Sequence, residues 1–114
     1  MTLTIWVYSK NGCCCKGDPI NSASFRAVSK NSIIYVETPL SASNGAPLSG
    51  GPYNVYTVES PLLATPGGGV ATDDNGNPIH QSEFWLRVHA PYHNDWDFHV
   101  MDGETHEVWL SKAL

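Results

Sequence analysis

The chain has 114 residues, of which 41% are hydrophobic and 11% aromatic, so it can bury a core and is not composed like a disordered segment. Its net charge is −5, and six Lys and Arg residues cannot form the basic surface that phosphate binding needs, which argues against a nucleic-acid partner. No apolar run reaches the roughly 18 residues of a membrane span. The length of the chain suits one domain, and residues 1–114 are expected to form a single β domain.

The first 16 residues lack the basic start, apolar stretch and small-residue cleavage site of a signal peptide, so we expect synthesis in the cytoplasm. Cys13, Cys14 and Cys15 are consecutive, lack the spacing of a zinc site and are odd in number. We therefore expect a turn after the first strand with one buried thiol, no disulfide framework and a reducing compartment.

Alternating apolar residues predict short β-strands, whereas no window predicts a helix. In chain order the first candidates are residues 3–8, 25–28, 32–37, 53–58 and 84–89. The apolar residues predicted to share a face are Leu3, Ile5 and Val7 in the strand at 3–8, and Phe84, Leu86 and Val88 in the strand at 84–89.

The last two candidate strands, residues 96–100 and 105–110, flank a Met-Asp-Gly turn and predict a β-hairpin. A three-residue loop pairs Phe98 with His106 and puts the apolar side chains of both strands on one face, whereas a two-residue loop mixes the faces. We expect Phe98, Val100, Val108 and Leu110 to be buried, and the substitution Phe98→Ala to cost about 3–5 kcal/mol of stability.

Two long segments, residues 41–52 and 61–79, are predicted to be loops because they are rich in Gly, Pro, Ser and Asn. Ordered loops of this length need contacts that offset their entropy, either within the domain or with neighbouring chains. The Asp73–Pro78 stretch offers carboxylate and amide oxygens for calcium but does not fit an EF-hand, and a tight turn at Asn75-Gly76 is the favoured interpretation.

All five histidines lie in the last 35 residues, which also contain several acidic residues. His89, His93 and Asp95 have side chains of the kinds that bind zinc, and they form the candidate metal site. No spacing matches a known metal signature, so surface histidines are the favoured alternative. We expect no cofactor, with zinc or calcium as the metals to consider.

Four tryptophans are many for this length. In the predicted hairpin, Trp109 and His99 lie on the outer face, as does Trp85 in its own strand. An exposed indole suits sugar stacking, a second sheet or a neighbouring subunit. Trp85, His99 and Trp109 are therefore the candidate binding residues.

The sequence predicts an all-β fold, a small antiparallel sandwich or barrel of six to eight short strands with two long ordered loops. No nucleophile or phosphate-cradle motif is present, so an enzyme is not the favoured class. We expect a structural or interaction module of a larger assembly, such as an accessory, decoration or tail protein of a phage-like particle. Its partners would be copies of itself or neighbouring subunits. The alternative is a module that binds a carbohydrate or a metal ion through its C-terminal segment.

Overall fold

The computed structural model describes residues 2–28, 40, 42–45, 53–67 and 69–113. Within these ranges the chain forms strands and turns and no helix, so the all-β prediction is confirmed. The candidate strand at residues 32–37 lies outside the described residues. The strands are β1 (Thr2–Asn11), β2 (Cys15–Pro19), β3 (Ser24–Val28), β4 (Ala42–Gly45), β5 (Val55–Glu59), β6 (Glu83–His89), β7 (Trp96–Met101) and β8 (Thr105–Leu110).

The first sheet is built around β1, whose ten residues are long enough to pair with two strands in succession along one edge and with a third strand along the other. Along one edge, β5 pairs with the first half of β1 and β2 with the second half, both antiparallel. Along the other edge, β8 pairs with β1 in parallel, which departs from the wholly antiparallel prediction. β4 adds to β5, so residues 42–45 of the first predicted loop are a strand.

The second sheet has the order β3-β6-β7, with all pairs antiparallel. The apolar faces of both sheets meet in one buried cluster, because each strand alternates between this interior and solvent. The predicted face sharing of β1 and β6 is confirmed. The fully buried side chains of these strands are Leu3, Ile5, Val7, Phe84, Leu86 and Val88.

The predicted C-terminal hairpin is wrong, because β7 and β8 do not pair with each other. β7 pairs with β6 in the second sheet, and β8 pairs with β1 in the first. Phe98 and His106, which the predicted register made neighbours, do touch, with ring centroids 5.1 Å apart, but the contact joins strands of different sheets. Val100, Val108 and Leu110 are buried as predicted, whereas Phe98 is only partly buried.

The turn between β7 and β8 is tied to both sheets, which explains why the two strands diverge. The Asp102 N–H donates to the Ser82 carbonyl, and the Gly103 N–H donates to the Thr2 carbonyl. Gly103 has φ 85°, a conformation that glycine adopts without strain. Hydrogen bonds from His106 and the Met101 N–H lower the pKa of the Glu104 carboxyl. The contribution of this ionised carboxylate is present at neutral pH and is lost as the pH falls through its folded-state pKa.

The cysteine run forms the turn between β1 and β2, as predicted, but its chemistry differs from the prediction. Cys14 and Cys15 are joined by a disulfide between adjacent residues, and Cys13 is a free, exposed thiol. All three residues are exposed, so the expected buried thiol is absent from this turn.

The second predicted loop folds on itself into an arm, defined here as residues 61–67 and 69–81. Three residues spaced eight apart, Leu63, Ala71 and Ile79, form a closed ring of backbone hydrogen bonds. The Leu63 N–H donates to Ile79, the Ile79 N–H to Ala71, and the Ala71 N–H to Leu63, at 2.8–3.0 Å. Isolated bridges at Leu62–His80, Ala64–Val70 and Thr72–Pro78 reinforce the ring. Contacts within the arm therefore contribute to its order.

Tyr56 joins the first sheet to the chain that precedes β3. Its hydroxyl donates to the Ile20 carbonyl at 2.8 Å and accepts from the Ala23 N–H at 3.1 Å, and its ring packs edge-on against Phe25. Burial raises the pKa of this phenol above its ordinary value. The proton is thus held more tightly in the folded state, and stability is lost as the pH rises from about 10 through the folded-state pKa.

We expect Tyr56→Phe to lower the free energy of unfolding by about 1–3 kcal/mol, because it leaves the Ile20 carbonyl and the Ala23 N–H without this partner. Urea unfolding followed by far-UV circular dichroism measures the change. Tyr53→Phe is the matched control, since the Tyr53 ring is exposed and should lose nothing. Equal stabilities of the two variants would show that the Tyr56 hydroxyl does not contribute.

Candidate functional site

Two shallow grooves adjoin at Asp95, which lines both. The first, called here the aromatic groove, has a volume of about 340 Å³ and is lined by Lys10, Asn94, Asp95, Trp96, Trp109, Leu110 and Ser111. The second, called here the basic groove, has about 350 Å³ and is lined by Ser24, Phe25, Arg26, Arg87, His89 and Asp95. Both volumes lie at the lower end of the roughly 300–1,000 Å³ found for small-ligand sites.

One wall of the aromatic groove is formed by the connection between β6 and β7, which is hydrogen-bonded to the chain that follows β8. The Asn94 N–H donates to the Ser111 carbonyl at 2.8 Å, and the Ala113 N–H donates to the Tyr92 carbonyl at 2.9 Å. Tyr92 has φ 63°, which is unusual for a residue with a side chain, and its ring is 89% exposed. Backbone hydrogen bonds thus fix Asn94 beside the groove.

Two exposed indoles line the aromatic groove. Trp96 is 55% exposed and is the first residue of β7. Trp109 is 37% exposed, and its Nε1–H donates to the Glu107 carboxylate at 2.7 Å. Lys16 lies 3.7 Å from the other oxygen of Glu107 and 4.5 Å from the centre of the Tyr8 ring. The Trp109 ring is therefore oriented by a hydrogen bond that satisfies its only donor.

The basic groove lies on the outer face of the second sheet. Arg87 makes a two-pronged ion pair with Asp97, at 2.8 and 2.9 Å, which raises the pKa of the guanidinium above its usual value. Arg26 is directly opposite Arg87 across the β3–β6 pair. Arg26 is exposed and forms no ion pair with any residue in the described part of the chain.

The three candidate metal ligands are only partly brought together. His89 donates from Nδ1 to Asp95 at 2.7 Å. His93 instead donates from Nδ1 to the Pro91 carbonyl at 2.7 Å, and in the neutral ring Nε2 accepts from the Ser9 hydroxyl on β1 at 3.0 Å. Nδ1 of His93 thus holds the ring against the β6–β7 connection, and Nε2 fastens that connection to the first sheet. Over the ranges that the structure covers, no three His, Cys, Asp or Glu side chains are grouped to hold a metal ion.

The three candidate binding residues fall on two surfaces. Trp85 and His99 contact each other edge-on with ring centroids 5.9 Å apart, on the outer face of the second sheet. Trp109 lies in the first sheet, because β8 pairs with β1. The expectation that Trp109 and His99 share a face depended on the hairpin and fails with it.

Sequence reasoning missed Trp96, Asn94 and Arg26 as site residues. Trp96 has the alternation of a core-facing side chain, yet it is exposed at the first position of β7. Arg26 lies in a short candidate strand, where its outward orientation could be predicted. Its neighbour Arg87 could not, because it lies on a strand that is distant in the sequence. For Asn94, the Pro-Tyr-His-Asn composition was the one available signal of a surface turn.

No protein-family model, curated protein or solved structure matches this chain in the comparisons. No helix that is long and apolar enough to cross a membrane occurs in the described part of the chain.

Proposed function

We propose that this protein is a small, non-enzymatic binding module that takes a carbohydrate in the aromatic groove. The observation that carries the proposal is the pair of exposed indoles, Trp96 and Trp109, in one groove with Lys10, Asn94, Asp95 and Ser111. The scaffold we infer for it is a β-sandwich of six to eight strands, synthesised in the cytoplasm.

The chemistry of the groove suits a sugar. A pyranose ring has a face of C–H bonds that packs on an indole, and a rim of hydroxyls that needs both donors and acceptors. The Asn94 amide, the Asp95 carboxylate and the Lys10 ammonium supply these groups beside the indoles. An aromatic floor with a few polar groups is the usual composition of a small-ligand site.

The fixed orientation of Trp109 supports the same conclusion. Because its N–H already bonds Glu107, the ring has no unmet donor that a protein or solvent must satisfy. Its exposed face is left for stacking, and little rotamer entropy remains to be lost when a ligand packs on it.

The test is a binding screen of the full chain against immobilised oligosaccharides, followed by calorimetry with those that bind. We expect Trp109→Ala and Trp96→Ala each to weaken binding at least about tenfold, which is about 1.4 kcal/mol. Tyr53→Ala is the matched control, because Tyr53 is as exposed as Trp96, at 55%, but does not line the groove. Absence of any binding oligosaccharide, or equal losses for Tyr53→Ala, would count against the proposal.

A second candidate is the assembly module, in which the partners are copies of this chain or neighbouring subunits of a phage-like particle. Its support is the set of large apolar side chains that are exposed and line neither groove, namely Tyr53, Val70, Tyr92 and Met101. Light scattering of the purified chain at micromolar concentration tests it. A large complex supports assembly, and a monodisperse monomer argues against self-association.

A further inference from the structure

We infer that the aromatic and basic grooves form one extended site for an acidic oligosaccharide, whose sugar rings stack on the indoles and whose carboxylates reach Arg26. This inference rests on the proposed carbohydrate-binding function and names its ligand class. Its structural basis is that Asp95 lines both grooves, so they are neighbours on one continuous surface.

The distribution of charge favours an anionic ligand. The chain carries 11 acidic and 6 basic residues, and its net charge is −5. Three of the basic residues, Lys10, Arg26 and Arg87, line the two grooves, together with a single acidic residue, Asp95. Asp97 neutralises Arg87, and Glu107 bonds Trp109 and Lys16, so Lys10 and Arg26 are the groove cations without a described carboxylate partner.

Arg26 is the group best placed to bind a carboxylate. Its neighbour Arg87 already uses Nε and Nη2 on Asp97, whereas Arg26 donates to no described side chain. A guanidinium offers a planar fork of N–H donors that matches the two oxygens of a carboxylate. Asp97 lies opposite Arg87 on β7 and neutralises it, so Arg26 is the positive charge of this row that remains for a ligand.

Lys10 provides a second positive charge, in the aromatic groove. It lies opposite Lys16 in the β1–β2 pair, but Lys16 is engaged by Glu107 and the Tyr8 ring. Lys10 forms no ion pair with a described residue and lines the aromatic groove beside Trp109. Each groove is thus lined by a cationic side chain without a described partner, Lys10 in the aromatic groove and Arg26 in the basic groove, which suits a ligand that carries more than one acidic sugar.

Asp95 is the carboxylate that lines both grooves, and its charge repels an acidic group placed directly beside it. The His89 ring donates to Oδ1 of Asp95, so the carboxylate is engaged at the junction of the grooves. Its other oxygen is available to accept from a sugar hydroxyl. We therefore assign Asp95 to the recognition of hydroxyls between two acidic groups.

The experiment compares acidic oligosaccharides with their methyl esters, which keep the sugar backbone and lose the charge. The probes are galacturonate, glucuronate-containing and sialylated oligomers, each paired with its ester, measured by calorimetry with the full chain. We expect at least one acid to bind about tenfold more tightly than its ester. Its affinity should fall as the ionic strength rises from about 0.05 to about 0.5 M.

Arg26→Gln should reduce the affinity for the acid to that of the ester and leave ester binding unchanged. Lys112→Gln is the control, because it removes the same charge from a residue that lines neither groove. Circular dichroism melting of each variant verifies the fold.

The outcomes separate the two proposals. If acids and esters bind alike and Trp109→Ala abolishes both, the acidic ligand is refuted and carbohydrate binding stands. If acids bind but Arg26→Gln and Lys112→Gln weaken them equally, the assignment of Arg26 is overturned. If no acid, ester or neutral oligosaccharide binds, both proposals fail.

Discussion

Replacing Phe84 with alanine should lower the free energy of unfolding by about 3–5 kcal/mol, which is close to the whole stability of many small domains. Phe84 is completely buried on β6, the central strand of the second sheet, opposite Val100 on β7. The ring lies in the buried cluster that both sheets form, with Val100 opposite, so the cavity it leaves cannot collapse cheaply. Urea unfolding followed by tryptophan fluorescence measures the loss.

Phe98→Ala is the matched comparison and corrects the sequence-based estimate. Phe98 is only partly buried, on the edge strand β7, where it packs against His106. Because less apolar surface returns to water, we expect a smaller cost, about 1–3 kcal/mol. If Phe98→Ala proves as destabilising as Phe84→Ala, the assignment of Phe98 to a half-open edge is incorrect.

Ala71→Pro should open the arm while the two sheets stay folded. Proline removes the N–H that Ala71 donates to Leu63 and so breaks the closed ring of hydrogen bonds. In the monomer, we expect the amides of Leu63, Ala71 and Ile79 to be protected from hydrogen exchange in the parent. In the variant residue 71 has no amide hydrogen, and we expect the amides of Leu63 and Ile79 to lose protection by about a hundredfold, which is about 2.7 kcal/mol of opening free energy.

Asp74→Pro is the control for introducing proline in the arm. The Gly76 N–H donates to the Asp73 carbonyl, so Asp74 occupies the second position of a β-turn, where proline is favoured. Because proline suits this position, the arm should keep its protection. Unprotected arm amides in the parent monomer would mean that the order of this segment depends on a partner, which would strengthen the assembly alternative.

The candidate site was only partly readable from the sequence. The abundance of Trp, His and Asp near the C-terminus marked the right region, and Trp109 and Asp95 lie in the grooves. The sequence did not reveal that Trp96 is exposed or that Arg26 faces Arg87, because both facts depend on which strands are neighbours. Likewise, His93 resembles a metal ligand in sequence, whereas its contact with Ser9 comes from a strand 84 positions away.

The sequence by itself determined the all-β class and the inward faces of β1 and β6. Alternation with a period of two is a local property of each strand, and its apolar side chains are buried whichever strand lies beside it. Only the tertiary structure decided which strands pair. Strand edges present the same N–H and C=O groups whatever the side chains, so the pattern at β7 and β8 fits a hairpin and a crossing between sheets equally well. The pairing of β7 and β8 depends on contacts with residues that are distant in the sequence. The Thr2 and Ser82 carbonyls accept hydrogen bonds from the turn at residues 102–103. The buried Asn54 donates from its side-chain amide to the Val7 carbonyl, at the point where β1 stops pairing with β5 and begins to pair with β2.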